Sequence, residues 1–156
     1  MAEVWFYHLE QETADKVLPG LLQRGLEREL RMAVQTLSLE RVKEISQSLW
    51  AYEDIAFLAH GIPGEDNPEG QPIYVTASPE NPNAASFRFY IDGASPDTLA
   101  GLDRACILFN GKDETAKQLA RDMWKRFKGE GHDVKYWKQS EQGHWQDQAA
   151  ATREET

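Results

Sequence analysis

The sequence predicts an α/β fold, namely a single-domain open sheet, mostly parallel, that is flanked by helices. Strand-like and helix-like segments alternate in the first half of the chain, as they do in parallel crossover units. The run Ala105–Phe109 is entirely apolar, which indicates a central strand with both faces covered. A chain of 156 residues, 40% of them hydrophobic, is also long enough to bury one core.

The first half of the chain contains two strand–helix pairs. Each helix is recognised by apolar residues at helical spacing, which in the second helix are Val42, Ile45 and Leu49. Thr13 and Ser38 stand at the two helix starts, where a hydroxyl can accept a backbone hydrogen bond. In chain order the predicted elements are a strand at Val4–Leu9, a helix over Gln11–Leu30, a strand at Arg31–Leu37 and a helix after Ser38.

Prolines and a turn organise the second half of the chain. Five of the seven prolines lie between residues 63 and 82, which predicts two exposed loops around a short strand, Ile73–Thr76. The Asn110-Gly111 pair predicts a turn before the last helix, which begins near Asp113 and ends near Gly129. The further strands predicted in this half are Ser86–Asp92, Arg104–Phe109 and Asp133–Lys138.

The folded α/β domain is expected to span residues 1–138. No second domain is predicted, because a chain of this length is typical of one domain. The composition beyond Lys138 is polar, so residues 139–156 are expected to form a mobile tail.

Cysteine usage and the start of the chain favour a cytoplasmic protein. A single cysteine, Cys106, cannot form an internal disulfide, and its place in an apolar run predicts a buried side chain rather than a reactive thiol. The first residues have no signal-peptide pattern, and the longest apolar run is too short to cross a bilayer. We therefore expect a cytoplasmic location and no membrane partner.

Charge is distributed unevenly along the chain. The net charge is −9, from 17 Lys and Arg against 26 Asp and Glu, which argues against wide coverage of a nucleic-acid backbone. Residues 112–138 differ, because eight basic and five acidic residues leave +3 there and −12 in the remainder. A positive segment on an acidic protein predicts a local acidic ligand, such as a peptide tail or a few phosphates.

The expected fold is Rossmann-like without a phosphate-binding loop. The sequence has no G-x-G-x-x-G motif. Its nearest approach to a P-loop, residues 110–113, would need a glycine at Cys106 and a hydroxyl residue at Asp113. An aspartate at that position would repel phosphate, so a nucleotide-dependent enzyme is the least favoured function.

The sequence shows no catalytic or metal-ligating constellation. None of the histidines stands four residues from another histidine or from the cysteine, and no pair of carboxylates can be singled out for acid–base chemistry. We therefore expect no catalytic residue, no metal and no cofactor, and a protein that is not an enzyme. The four histidines are His8, His60, His132 and His144.

The last helix carries two adjoining faces of different character. One face is apolar and is expected to pack on the sheet through Ala116, Leu119, Ala120, Met123 and Phe127. On the other face, cations surround one aromatic residue: Lys117, Arg121, Trp124, Lys125 and Lys128. This second face is either a solvated helix surface with its aromatic ring in the core, or an acceptor for a short acidic peptide with an apolar end.

A second aromatic cluster lies where the second helix ends. Several large apolar side chains crowd into residues 49–58. Helical spacing puts Trp50 away from the apolar stripe of that helix, and Phe57 leads into a loop. The cluster is therefore either part of the core or an exposed patch that binds a protein partner.

Segments spread over nearly the whole folded part carry a family resemblance. They are Phe6–Leu9, Leu49–Ala51, Phe57–His60, Lys117–Arg121 and Trp137–Lys138, and the most specific motif runs from Lys117 to Lys125. Together they resemble the chi subunit of the bacterial DNA polymerase III holoenzyme, an accessory of the clamp loader. Trp124 stands where the best-known aromatic of that family is a tyrosine.

The resemblance implies a non-catalytic adaptor in DNA replication. Chi subunits link the clamp loader to single-stranded DNA-binding protein by gripping its acidic C-terminal tail, which ends in phenylalanine. By position, Arg121 would bind the terminal carboxylate, and Lys117 and Lys125 would bind the aspartates of the tail. Trp124 would border the pocket for the terminal ring. The far wall of that pocket would consist of His132 and Trp137.

The resemblance also implies a second partner, the psi subunit of the clamp loader. Trp50 and Phe57 stand where the family makes that contact, and DNA would be reached only indirectly. The alternative is a direct single-stranded nucleic-acid binding module, which would use the same cations and aromatic side chains. A nucleotide-dependent enzyme is a weaker alternative still.

Overall fold

A seven-stranded sheet forms the centre of the computed structural model, which describes residues 2–10, 12–51, 60–65, 67–139 and 145–147. The strand order is β3-β2-β4-β5-β1-β6-β7. The strands are β1 (Glu3–Leu9), β2 (Met32–Gln35), β3 (Ile73–Thr76), β4 (Phe87–Tyr90), β5 (Arg104–Asn110), β6 (Asp133–Gln139) and β7 (Trp145–Asp147). The helices are α1 (Ala14–Glu27), α2 (Leu39–Ala51) and α3 (Glu114–Gly129), with a short 3-10 helix at Pro68–Gly70.

The predicted fold class is confirmed. The six strands β1 to β6 pair in parallel, and β7 alone among the described strands is antiparallel to its neighbour, β6. β7 lies inside the segment for which the sequence predicts a polar tail. It adds to the open edge of β6, where unpaired backbone groups can accept another strand. Residues 140–144 and 148–156 of that segment lie outside the described residues.

The helices lie where the sequence predicts them, with shorter limits. α1 begins at Ala14, and Thr13 occupies its N-cap position without a capping hydrogen bond from its side chain. Ser38 does cap α2, because its Oγ accepts a hydrogen bond from the backbone N of Arg41 at 3.2 Å. Asp113 caps α3. No helix among the described residues is long and apolar enough to cross a membrane.

The core is divided between the two faces of the sheet. α1 and α2 cover one face, where Leu22 and Ile45 pack against strand residues such as Val34. α3 covers the other face through Ala120 and Phe127. Because side chains alternate along a strand, the even-numbered residues of β1 face α3 and the odd-numbered ones face α1.

The central strand β5 is buried as its apolar run predicts. Residues 105–109 are buried on both faces, and Cys106 is only 2% exposed. Burial raises the pKa of the Cys106 thiol to about 12, which favours the protonated thiol at neutral pH. The prediction of a buried cysteine is confirmed.

The prediction that Leu119 of α3 packs on the sheet is wrong. Leu119 is 45% exposed, whereas Ala120 and Phe127 are almost fully buried. Successive helical residues are about 100° apart, so the rotation that points Ala120 at the sheet carries Leu119 to the edge of the contact. Helical periodicity identified the apolar side but not its centre.

Gly111 is a position where close packing requires glycine. It follows β5 in the turn to α3, and a Cβ atom there would overlap the imidazole of His8. His8 is itself buried, at 6% exposure, so the ring has little room to move. The turn residue therefore sets the position of a side chain that belongs to the site described below.

Replacing Gly111 by alanine is expected to destabilise the protein by about 1–3 kcal/mol, because the added methyl group overpacks the His8 ring. Urea unfolding followed by tryptophan fluorescence measures the change. Gly129→Ala is the control, since nothing lies within 4 Å of its Cβ position, and stability should stay the same or rise by up to about 1 kcal/mol. Unchanged stability of Gly111→Ala would contradict tight packing against His8.

Candidate functional site

The rotation of α3 about its axis is set by its cap and by its buried face. The Asp113 carboxylate accepts hydrogen bonds from the backbone N of Thr115 at 2.9 Å and of Ala116 at 3.2 Å. Ala120 and Phe127 are buried against the sheet at 2% and 1% exposure. These contacts determine which side chains of the helix point away from the sheet.

The cations predicted for one face of α3 lie together on that face of the helix. Lys117 is half-buried and forms an ion pair with Glu114, with Nζ 3.4 Å from the carboxylate oxygen. Arg121 and Lys125 are exposed. Neither of these two makes a salt bridge or hydrogen bond with another residue that the structure describes. Two exposed cations without an anionic partner in the described part of the chain are available to bind an anion.

Trp124 lies between this basic face and the sheet. It is half-buried, and its ring centroid is 5.8 Å from the ring centroid of Phe6 and 5.9 Å from that of Tyr136. The Nζ of Lys128 lies 5.5 Å from the indole centroid, a cation–π distance. The ring is therefore neither wholly in the core nor free on the surface, and its outer edge adjoins the basic face.

Tyr136 and His8 extend the site beyond α3, and the sequence analysis missed both. His8 Nδ1 lies 2.6 Å from the Tyr136 hydroxyl, and His8 Nε2 lies 2.6 Å from Glu10 Oε1. A carboxylate can only accept, so Nε2 carries the proton and the neutral ring accepts at Nδ1 from the tyrosine O–H. Lys138 adds a cation 3.9 Å from the same Glu10 oxygen.

The pKa directions show that the α3 cations act on this hydrogen-bonded pair. Burial lowers the pKa of His8, the charge of Lys117 acts in the same direction, and Glu10 opposes both. Burial raises the pKa of Tyr136 to about 12, and the charge of Arg121 opposes that shift. Lys117 and Arg121 thus lie within electrostatic reach of the end of β1 and of β6.

The two residues predicted for the far wall, His132 and Trp137, lie on different faces of the sheet. Trp137 lies on the α1 face of the sheet, where its ring is 5.4 Å from Trp5. Alternation along β6 puts Tyr136 on the α3 face instead. The period of two in the sequence predicts that residues 136 and 137 face opposite sides of the sheet, but not which side each one takes. His132 packs against Phe127, with ring centroids 6.0 Å apart, just after the C-terminal end of α3.

Trp50 lies on a different part of the molecule. It is 53% exposed near the end of α2, as its position outside the apolar stripe predicts. Its ring centroid is 4.6 Å from that of His60, and His60 Nε2 lies 2.7 Å from Ser46 Oγ. Phe57, which the sequence analysis grouped with Trp50, lies outside the described residues.

The described residues form no arrangement suited to a metal. Across these parts of the chain, no three His, Cys, Asp or Glu side chains are grouped closely enough to hold an ion. At the start of α3, where a nucleotide-binding fold would hold phosphate, the Asp113 carboxylate already accepts the backbone N–H groups. The chemistry of the site is thus charge, hydrogen bonding and aromatic surface.

Comparison with known proteins identifies the family. The family model of the DNA polymerase III chi subunit, HolC, matches residues 1–135. The chain belongs to this family. A curated relative, the probable DNA polymerase III subunit chi of Rickettsia prowazekii (strain Madrid E), is 28% identical over 100 residues. The matched part covers 64% of this chain and 59% of the relative, so the chain spans less than two-thirds of that protein's length.

The match to the chi family includes the segments that form the site. β1, α3 and the first residues of β6 all lie within residues 1–135, whereas Tyr136 and Lys138 follow directly after them. The family consists of accessory subunits of DNA polymerase III.

The lowered pKa of His8 predicts a pH dependence of stability. The folded state binds the His8 proton less readily than the unfolded chain, whose ordinary value is 6.5. The stability that this pKa difference contributes is fully present above pH 6.5, the ordinary value of the unfolded chain, and is lost as the pH falls through the pKa of His8 in the folded state. In His8→Gln, the free energy of unfolding should fall less between about pH 7.5 and about pH 5 than in the wild type.

Urea unfolding at each pH measures this difference. The comparison isolates His8, because the other titrating groups are the same in both proteins. Parallel pH curves for His8→Gln and wild type would show that the folded state binds this proton as readily as the unfolded chain.

Proposed function

We propose that this chi-family chain is a non-catalytic cytoplasmic adaptor that links the clamp loader to single-stranded DNA-binding protein. In this proposal, α3 grips the acidic C-terminal tail of that protein. The observation that carries the proposal is the pair of exposed cations, Arg121 and Lys125, beside the half-buried ring of Trp124. On a protein of net charge −9, such a group favours a short anionic ligand over a long nucleic acid.

Each residue of the group has a role in the proposed complex. The guanidinium of Arg121 binds the terminal carboxylate of the tail, since its planar fork matches a carboxylate. Lys117 and Lys125 bind the aspartates. Trp124 borders the pocket for the terminal phenyl ring, and Tyr136, 5.9 Å away, supplies aromatic surface from the sheet.

The expected affinity follows from the size of these contacts. A charge-assisted hydrogen bond contributes about 1.5–3 kcal/mol, and burial of a phenyl ring contributes about 1.5–3 kcal/mol. Exposed lysine–aspartate pairs contribute less, and ordering the peptide opposes binding. We expect a dissociation constant on the order of micromolar, which corresponds to about −8 kcal/mol.

The second proposed surface is centred on Trp50 and binds a psi-like subunit of the clamp loader. Exposed tryptophans are over-represented among the side chains that dominate protein interfaces. Trp50 is 53% exposed on α2, and α2 covers the face of the sheet opposite α3. An adaptor needs two separate surfaces of this kind, so that both partners can bind at once.

Direct binding of single-stranded nucleic acid is the alternative use of the α3 face. The same cations and aromatic rings would suit a strand. The chain carries a net charge of −9, so aspartate and glutamate side chains elsewhere on it disfavour binding of a long polyanion. The affinity for a labelled oligonucleotide, compared with that for the tail peptide, distinguishes nucleic-acid binding from tail binding.

Arg121→Ala is expected to weaken binding of a labelled C-terminal peptide of single-stranded DNA-binding protein by about ten- to a hundredfold, because one charge-assisted contact is lost. Fluorescence anisotropy measures the affinity for the labelled peptide. Arg126→Ala is the matched control: it removes the same charge from the same helix, about 140° around the axis from Arg121. The control should bind like the wild type.

The same titration has outcomes that would contradict the proposal. One is no binding of the peptide by folded wild-type protein. Another is an affinity that does not fall at high salt, since exposed ion pairs are screened. Tighter binding of a labelled oligonucleotide than of the peptide would favour the nucleic-acid alternative.

Trp50→Ala is expected to abolish association with the psi-like clamp-loader subunit while tail binding stays within about twofold of the wild type, because the two surfaces are separate. Phe57→Ala should act in the same way. Pull-down with the clamp loader and anisotropy with the tail peptide measure the two activities. Equal loss of both activities by a variant that still folds would contradict the two-surface arrangement.

A further inference from the structure

A cleft of about 790 Å³ lies outside the carboxyl ends of β1 and β5. These two strands are neighbours, but the chain leaves β1 toward α1 on one face and leaves β5 toward α3 on the other. In open parallel sheets such a topological switch point is where ligands bind. The volume also lies in the range of ligand-binding clefts.

The charge of this cleft is opposite to that of a nucleotide site. Five carboxylates line it, against two lining cations, Arg41 and Lys112, and a third cation, Lys138, lies 3.9 Å from one of these carboxylates, which leaves an excess of two negative charges. The carboxylates belong to Glu10, Glu12, Asp15, Asp92 and Asp113. Asp113 caps α3, so the helix start that would receive a phosphate already holds an anion. Phosphates and acidic peptides are repelled here.

Arg41 does not neutralise its surroundings. Its guanidinium lies 2.7 Å from Asp15 and 2.8 Å from Asp92, and also 2.7 Å from Glu44. One positive charge thus faces three carboxylates that are partly open to solvent. The remaining negative charge favours an additional cation from outside the described residues.

Exposed leucines adjoin the acidic wall. Leu119, at 45% exposure, lines the cleft from α3, next to the half-buried Met123. Leu37 is 64% exposed, and its Cδ1 lies 3.9 Å from the position that a Cβ of Gly93, another lining residue, would take. Burial of such side chains by a partner is favourable, by about 25 cal/mol per Å².

We propose that this cleft is a docking site for a protein segment in which a lysine or arginine adjoins an apolar side chain. The cation faces Asp15 and Asp92, and the apolar side chain covers Leu119. Charge complementarity selects this occupant, because the cleft combines an excess of carboxylate with exposed leucine. The segment is thus opposite in charge to the ligand proposed for the basic face of α3.

The two sites of α3 are separate on the helix. Leu119 and Arg121 point about 160° apart around the axis, so one segment cannot cover both. The docking site does not depend on the proposed function. A cleft that binds no such segment would leave tail binding by Arg121 unaffected, and a loss of tail binding would leave the docking site unaffected.

The test is a titration of the ¹⁵N-labelled full-length chain, observed by amide NMR. The probe is an acetylated and amidated pentapeptide of alternating lysine and leucine. The matched controls are the pentapeptide of alternating glutamate and leucine, and spermidine as a cation without apolar side chains. The expected result is a saturable shift of cleft amides, such as those of Asp15 and Leu119, with the lysine–leucine peptide only.

Leu119→Lys is expected to weaken that binding by about tenfold, since it removes apolar surface and adds a like charge. Gln118→Lys adds the same charge one residue away, outside the cleft lining, and should change the affinity less than about twofold. Tail binding at the basic face should be unchanged in Leu119→Lys, because residue 119 points about 160° away from Arg121. Shifts scattered over the acidic surface, equal binding of spermidine, or an unaltered affinity in Leu119→Lys would each overturn the proposal.

Discussion

Burial of the neighbouring strands β1 and β5 on both faces is the constraint on which the rest of the structure depends. Residues 105–109 of β5 have no exposed side, so helices must cover the sheet above and below. α1 and α2 cover one face together, and α3 covers the other. Ala120 and Phe127 of α3 must therefore point inward.

The inward face of α3 determines both of its outer edges. With Ala120 at the sheet, Arg121 and Lys125 are carried to one side and Leu119 to the other. The first edge meets the ends of β1 and β6, where His8 and Tyr136 form a hydrogen-bonded pair. The second edge meets the acidic cleft at the switch point. One helix thus separates two surfaces of opposite charge.

Much of the fold and part of the site could be predicted, because they depend on neighbours along the chain. Strand and helix patterns identified β1 to β6 and α1 to α3, and helical spacing alone placed Lys117, Arg121 and Lys125 on one face. β7 was missed because three residues in a polar segment carry no pattern of their own. Pairing with the open edge of β6 is what makes them a strand.

The amino-acid sequence is enough to predict the α/β class, the buried strand with Cys106 and the basic face of α3, because each depends on a local period or on composition. Three outcomes follow from the tertiary structure instead: Tyr136 rather than Trp137 faces α3, His8 joins the site, and Leu119 is exposed. These outcomes depend on which face of the sheet each element covers and on strands distant in sequence, such as β1 and β6. No local pattern contains that pairing.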